Sequence, residues 1–214
     1  MLTHLRSLVT IFLLLAIATA TSFAAPPGSC SLELELDPAA RGWNAQYIEW
    51  LAVSPSTGLL ARRLQVPLVS AVELRDAEGT VPTNWGLQHD TLLVEPRRAF
   101  AGTLAVLRVA YVGDWADSGA GPSRDAAGRT AHLPRLDARV APMQADAGEQ
   151  RWELVVHVPG THRARSNLPV TGMSRTGSWW TWTYRAGGAV SLDSARVRIE
   201  PATKAVPKRA KRRR

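Results

Sequence analysis

Histidines are the side chains best suited to proton transfer near neutral pH, and four of the five in this sequence lie beyond residue 24: His89, His132, His157 and His162. No serine stands in the G-x-S-x-G turn that presents the nucleophile of many hydrolases. His157 interrupts an apolar run, where strand alternation places it on the face opposite Val156 and Val158. We therefore interpret His157 as a histidine on a strand surface, and we predict no catalytic residue.

Charged side chains suggest two other kinds of site. His162 could join Arg163 and Arg165 in an anion site, and a solvated loop is the alternative. Three aspartates have the side-chain type that binds calcium but lack the D-x-D-x-D-G spacing of a calcium loop: Asp114, Asp117 and Asp125. The sequence therefore predicts no metal and no cofactor.

The densest aromatic cluster consists of Trp179, Trp180, Trp182 and Tyr184. On a strand, Trp180 and Trp182 share one face and Trp179 lies on the other. An exposed row of this kind predicts a platform that stacks on sugars, bases or the apolar groups of a protein partner. The alternative is that one face fills the core while a neighbouring sheet covers the other.

Basic residues are concentrated at the C-terminus, in residues 201–214. The formal net charge of the chain is +8. This tail holds no acid and seven cationic residues: Lys204, Lys208, Arg209, Lys211, Arg212, Arg213 and Arg214. Because the chain between the leader and the tail is electrically balanced, the charge does not predict a nucleic-acid-binding fold. We predict a disordered tail that binds an anionic membrane or envelope polymer; a solubilising tail without a partner is the alternative.

The N-terminus has the pattern of an export signal. An apolar run from Leu8 to Ala18 follows Arg6, and Ser22–Phe23–Ala24 fits a cleavage site after Ala24. We predict a signal peptide over residues 1–24 and a periplasmic or secreted protein, with a retained membrane anchor as the alternative.

Cysteine use adds one constraint. Cys30 is the single cysteine of the chain, so no internal disulfide can form. We interpret it as an ordinary residue, and lipidation or an intermolecular disulfide remain as alternatives.

Short alternating segments must position these residues. Two of the segments each carry three apolar residues on one face, and we expect all six to be buried: Leu32, Leu34, Leu36, Leu154, Val156 and Val158. Turn residues recur at short intervals between the segments, which is typical of an all-β protein. We therefore predict a single antiparallel β-sandwich or saddle over residues 25–200.

Two regions of this domain are predicted separately. Residues Arg151–Tyr184 should form two adjacent strands joined by a long polar connection. Residues Asp114–Asp137 show no sustained alternation and are interpreted as a long surface excursion, either functional or without a role.

The order of several motifs resembles the N-terminal β-domain of the aminopeptidase-N-type zinc metallopeptidases. The segment LELELDPAARG, Leu32–Gly42, is similar to that domain's first strand and turn. Asp90–Trp115 is similar to its pair of strands ending in L-x-V-x-Y-x-G, and Leu133–Asp137 keeps the spacing of its F-P-x-x-D segment. Glu153–Asn167 and the TGSWWTWTY stretch that follows are similar to its next strands. The resemblance implies a saddle-shaped β-domain that packs against a separate catalytic domain.

The catalytic elements that the resemblance would imply are missing from this sequence. Catalysis in that family needs two histidines one helical turn apart with an adjacent glutamate, and no H-E-x-x-H occurs here. The family's Gly-Ala-Met-Glu-Asn signature is also missing, and no glutamine stands between Gln88 and Gln144 to hold a substrate amine. We therefore predict no zinc and no aminopeptidase activity for this chain alone.

Three hypotheses about function follow. We favour an exported, non-catalytic β-domain that binds a protein partner or an envelope polymer and uses its basic tail on anionic surfaces. The alternative is a detached component of an aminopeptidase-type system that docks on a separate catalytic subunit. An enzyme of unrecognised type is a third hypothesis.

Overall fold

The computed structural model describes residues 26–116, 121–142, 151–185 and 194–202. These residues form three β-sheets and contain no α-helix. The predicted all-β class is confirmed. Among the described residues, no helix has the length and apolar character needed to cross a membrane.

The largest sheet has eight strands. In chain order these are β1 (Ser29–Glu35), β2 (Gly42–Ala52), β4 (Leu68–Asp76), β5 (Gly79–Val81), β8 (Leu104–Asp114), β11 (Arg151–Pro159), β13 (Val170–Thr176) and β14 (Trp179–Arg185). Their spatial order is β13-β14-β11-β1-β2-β8-β4-β5. All neighbouring strands are antiparallel except β1 and β11, which pair in parallel.

Two smaller sheets complete the fold. A three-stranded sheet contains β3 (Leu60–Arg63), β7 (Thr91–Pro96) and β6 (Thr83–Gln88), in that spatial order. A four-stranded sheet contains β12 (His162–Ser166), β15 (Val197–Pro201), β10 (Ala131–Leu133) and β9 (Ser123–Arg124), again in spatial order. One hydrophobic core contains residues from all three sheets. The fold is therefore a sandwich in which both small sheets share the core of the large one.

The apolar residues that alternate with polar ones in the sequence lie in the core. All six residues predicted to be buried have no exposed surface: Leu32, Leu34, Leu36, Leu154, Val156 and Val158. The pairing register places Leu32 opposite Leu154 and Leu34 opposite Val156, so the two apolar rows meet on adjacent strands. This prediction is confirmed.

The segment Arg151–Tyr184 differs from its prediction in the connection. Its first and last strands, β11 and β14, are adjacent and antiparallel, as expected. The polar connection between them is not a loop, because it contains β12 in the four-stranded sheet and β13 at the edge of the large sheet. Likewise, β9 and β10 lie inside the excursion predicted for Asp114–Asp137.

Trp43 packs across the β2–β8 pair where β2 begins and β8 ends. Its indole is buried and lies edge-on to Tyr111, with ring centroids 6.2 Å apart. The hydroxyl of Tyr111 donates to the carbonyl of Val140 at 2.6 Å. Gly113 is the register partner of Trp43, and a Cβ at Gly113 would overlap the indole ring. The absence of a side chain at Gly113 is therefore what lets the indole lie across the strand.

We expect the substitution Gly113→Ala to lower the free energy of unfolding by about 1–3 kcal/mol, because the new methyl group must displace a buried indole. Urea denaturation of both proteins measures the change. Gly86→Ala on β6 is the matched control, since nothing lies within 4 Å of a Cβ there. Equal stability of Gly113→Ala and Gly86→Ala would contradict the packing of Trp43 over Gly113.

Candidate partner-binding surface

The aromatic cluster predicted from the sequence lies on β14, the second strand from one edge of the large sheet. Trp180, Trp182 and Tyr184 face the core side, where both tryptophans are half-buried and pack against the core. Trp179 is also half-buried and lies on the opposite face of the strand. The predicted division of the tryptophans between two faces agrees with this pattern.

Tyr184 does not belong to an exposed row. Its side chain has 0% exposure and lies in the core, where burial raises its pKa to about 12. It stands opposite Leu154 of β11, one of the six buried apolar residues. The predicted platform is therefore limited to the tryptophans.

The edge strand β13 supplies side chains that the sequence analysis missed. Met173 stands opposite Trp182 and is 57% exposed, and Val170 stands opposite Tyr184 and is 54% exposed. Arg175 stands opposite Trp180, with its guanidinium carbon 5.6 Å from the centre of the indole. This distance is that of a cation–π contact.

These residues form one continuous surface, which we call the hairpin surface: Val170, Met173, Arg175, Trp180 and Trp182. It combines exposed apolar side chains with an edge strand, because β13 pairs with β14 alone among the described strands. The indole Nε1 of Trp182 and the hydroxyl of Tyr184 are buried and have no hydrogen-bond partner in the described structure. The hairpin surface can therefore offer apolar contacts and backbone hydrogen bonds to an incoming strand.

His157 lies on the opposite face of the large sheet, as predicted. Its Nε2 is 2.6 Å from Oε1 of Glu33, and its Nδ1 is 2.9 Å from Oγ1 of Thr181. Glu35 stands opposite His157 in the register. Burial raises the pKa of Glu35, and the nearby imidazole opposes that rise.

A hydroxyl, an imidazole and a carboxylate in this order are the groups that activate a nucleophile in hydrolases. Such a nucleophile also needs free N–H donors for the oxyanion that it generates. Here the three residues lie on β1, β11 and β14. Each of these strands has a neighbour on both sides, so its backbone amides hydrogen-bond to the neighbouring strands. The arrangement therefore links three neighbouring strands of the large sheet.

The three candidate aspartates have different positions in the chain's structure. Asp125 accepts hydrogen bonds from the backbone N–H groups of Arg129 and Thr130, which closes a turn. Asp114 ends β8, and Asp117 lies outside the described residues. The described part of the chain contains no group of three or more His, Cys, Asp and Glu residues arranged to hold a metal ion.

Cys30 lies in the core of the large sheet. Its Sγ is 3.5 Å from the hydroxyl of Tyr47, and burial raises the pKa of the thiol to about 12. A protonated, buried thiol is unreactive at neutral pH. The structure thus agrees with the interpretation of Cys30 as an ordinary residue.

The predicted leader and most of the predicted tail lie outside the described residues. This includes every cationic residue of the tail: Lys204, Lys208, Arg209, Lys211, Arg212, Arg213 and Arg214. The first two tail residues are ordered with the sheet, because β15 ends at Pro201 and the N–H of Ala202 donates to the carbonyl of Thr161. Pro201 and Ala202, at the start of the predicted tail, are therefore hydrogen-bonded to the described domain.

Comparison with known proteins rests on structure. The sequence matches no family model and no curated protein. The chain is similar to a solved structure of the M1 zinc metallopeptidase from Deinococcus radiodurans, with a TM-score of 0.64 and 17% sequence identity. It is also similar to the structure of the E323A mutant of that enzyme bound to a Tyr-Ser-Ala substrate, with a TM-score of 0.63 and 16% sequence identity. Both matches cover 81% of this chain and 41% of the metallopeptidase chain.

The resemblance inferred from the motifs is thus confirmed at the level of fold. This chain spans less than half the length of the metallopeptidase chains that it matches. Such coverage is consistent with an N-terminal domain alone.

Proposed function

We propose that this chain is a non-catalytic binding domain that accepts an extended, apolar segment of a protein partner along β13. The observation that carries this proposal is the hairpin surface, where two side chains that are more than half exposed, Val170 and Met173, lie on an edge strand. Isolated exposed apolar residues are common on proteins, but a row of them along an unpaired edge is a typical feature of interfaces.

The binding mode is strand addition. The incoming segment pairs its backbone with the outer edge of β13, and its apolar side chains contact Met173 and the two half-buried tryptophans. Methionine suits this role because its unbranched thioether adapts to different neighbours. Tryptophan supplies a large contact area through the exposed part of its ring.

The remaining parts of the proposal come from the sequence. The chain lacks the H-E-x-x-H ligand pair, so the domain would contribute binding and not hydrolysis. The leader would export it, and the cationic tail beyond Ala202 would hold it at an anionic membrane or envelope polymer.

A second candidate function is supported by the comparison of folds. The similar structures are zinc metallopeptidases in which the matched region is 41% of the chain. A separate partner with a zinc-binding catalytic domain would correspond to the part of those chains that the match does not cover. In this case the present chain would be a docking component of a peptidase system.

The substitution Met173→Asp tests the hairpin surface. A carboxylate in the middle of an apolar contact must be desolvated on binding, so we expect retention of the partner by immobilised full-length protein to fall at least tenfold. The measurement is quantitative capture from an envelope extract, with the retained proteins identified by mass spectrometry.

Leu59→Asp is the matched control. Leu59 is also a large, exposed apolar residue, but it precedes β3 in a different sheet. The proposal requires a protein that wild type and Leu59→Asp retain equally and that Met173→Asp does not retain. Retention unaffected by Met173→Asp would remove the hairpin surface from the interface.

A further inference from the structure

The outward face of the four-stranded sheet carries a concentration of arginines. Residues of β12, β15 and β10 alternate between the core and the outside, with Ala164, Val197, Ile199, Ala131 and Leu133 buried. The alternate positions point outward and bear Arg163, Arg165, Arg198, His132 and Glu200. Arg196, which is exposed immediately before β15, adds a fourth arginine. This outward face, which we call the arginine face, has a clear excess of positive charge.

One carboxylate is shared by two of these arginines. Glu200 lies 3.1 Å from Nε of Arg163 and 2.5 Å from Nε of Arg165. Arg196 and Arg198 are exposed, and neither has a carboxylate within ion-pair distance in the described structure. The charge of the arginine face is therefore only partly compensated.

A cleft opens beside Arg198. Its volume is about 340 Å³, and its described lining includes Ser123, Thr130, His132 and Arg198. The other charged groups in its wall are already engaged. Asp125 accepts the N–H groups of its own turn, and Arg124 donates to the carbonyls of Pro38 and Ala40. The hydroxyl of Thr130 also hydrogen-bonds Asp125, so the groups available to a ligand are one guanidinium, one imidazole and the hydroxyl of Ser123.

The register places three of these cleft residues in one line with Arg165. Ser123 pairs with His132, His132 pairs with Arg198, and Arg198 pairs with Arg165 across the four strands. Neighbouring strands are about 4.8 Å apart, and alternate residues of one strand are about 7 Å apart. Arg198 adds its positive charge to this line, and Arg196, which immediately precedes β15, adds a second positive charge next to it.

We propose that the arginine face binds the phosphate groups of a soluble, phosphate-rich polymer, with one phosphate in the cleft. Guanidinium forks bind phosphate oxygens in pairs, and the hydroxyl and imidazole groups of the cleft supply further donors. The six large exposed apolar residues of the described chain all lie elsewhere, so this face has nothing to insert into a bilayer. It also carries no Trp, Tyr or Phe side chain, the large rings on which nucleobases usually stack. These two observations favour a polymer without bases over a membrane or a nucleic acid.

The inference goes beyond the proposed partner binding and does not depend on it. It also places anion binding on the folded domain rather than on the tail. Linear inorganic polyphosphate of defined length is the probe, and binding to the full chain is measured by titration at several salt concentrations. The slope of log K against log salt should fall by roughly one for each phosphate that a variant no longer neutralises.

We expect the double substitution R196Q/R198Q to weaken polyphosphate binding about tenfold or more and to lower the salt slope by about two. R196K/R198K keeps the charges and should keep the slope. R75Q/R97Q removes the same charge from outside the four-stranded sheet and should change the affinity at most twofold. A fourth protein, full-length with the seven tail cations changed to Gln, isolates the contribution of the tail.

The outcomes separate the possibilities. The proposal requires that R196Q/R198Q weaken binding in the tail-neutral background as well as in wild type. An effect that disappears in that background would assign binding to the tail and overturn the proposal. Stronger, Arg198-dependent binding to phosphatidylglycerol vesicles than to polyphosphate would overturn it in favour of a membrane. Because Met173→Asp leaves the arginine face intact, it should not change polyphosphate binding, so the two proposals can fail separately.

Discussion

Replacing Arg62 with Met is expected to lower the free energy of unfolding by about 3–5 kcal/mol. Arg62 on β3 and Glu49 on β2 form a two-bond ion pair, with Nε to Oε2 at 2.8 Å and Nη2 to Oε1 at 2.9 Å. Their side chains are only 5% and 2% exposed. The substitution leaves the carboxylate of Glu49 buried without a counter-charge, which is the costly event. Urea denaturation at pH 7 measures the decrease.

Two variants make the test specific. Arg63→Met changes the next residue, which forms an ion pair with Asp90. The side chains of Arg63 and Asp90 are 63% and 41% exposed. Arg63→Met should therefore lower the free energy of unfolding by less than about 1 kcal/mol. The double variant Arg62→Met/Glu49→Leu removes both charges and should recover most of the stability. A double variant as unstable as Arg62→Met alone would contradict the assignment of the decrease to an unpaired carboxylate.

The substitution Asp76→Asn is expected to cost about 2–4 kcal/mol at pH 7 and much less at low pH. Asp76 is buried at the end of β4 and accepts hydrogen bonds from Nη1 and Nη2 of Arg98 at 2.6 and 2.9 Å. It also accepts the backbone N–H groups of Ala101 and Glu78 at 2.8 and 3.0 Å. The bonds from Arg98, with those from the two amides, hold the pKa of Asp76 well below its usual value, although burial opposes the shift.

The sign of the pH dependence follows from that shift. A carboxylate with a depressed folded-state pKa stabilises the protein above its unfolded-state pKa, near 4, and this contribution disappears as the pH falls further. The difference in unfolding free energy between wild type and Asp76→Asn should therefore be constant near neutral pH and shrink below about pH 4. Glu95→Gln, at an exposed position of β7, should show a difference close to zero throughout. A difference in unfolding free energy between wild type and Asp76→Asn that grows as the pH falls would contradict the assigned ion pair between Asp76 and Arg98.

Alternation predicted the parts of the fold in which one strand face is fully buried. Leu32–Leu36 and Leu154–Val158 alternate because every second residue enters the core, and both were placed correctly. The strands β6 and β13 were not predicted, since each lies at a sheet edge and their side chains are mostly exposed. An edge strand with no buried row leaves no period of two in the sequence.

The candidate site was predicted in part for a related reason. The aromatic composition of Trp179–Tyr184 identified β14, but composition alone cannot tell a core tyrosine from an exposed one, and Tyr184 is in the core. Met173 was missed because its role depends on the register that places it opposite Trp182. The arginine face depends on pairing between strands that are far apart in sequence, such as His132 with Arg198. Long-range register of this kind is not readable from a single sequence.

The most direct test of strand addition along β13 is amide hydrogen exchange of the full chain, alone and in complex with the partner that wild type retains and Met173→Asp does not. Because an added strand hydrogen-bonds the outer amides of the edge, exchange within Val170–Thr176 should slow at least tenfold in the complex, while exchange on the three-stranded sheet stays unchanged. Unchanged exchange in Val170–Thr176, with protection appearing on another sheet, would contradict the proposed binding mode.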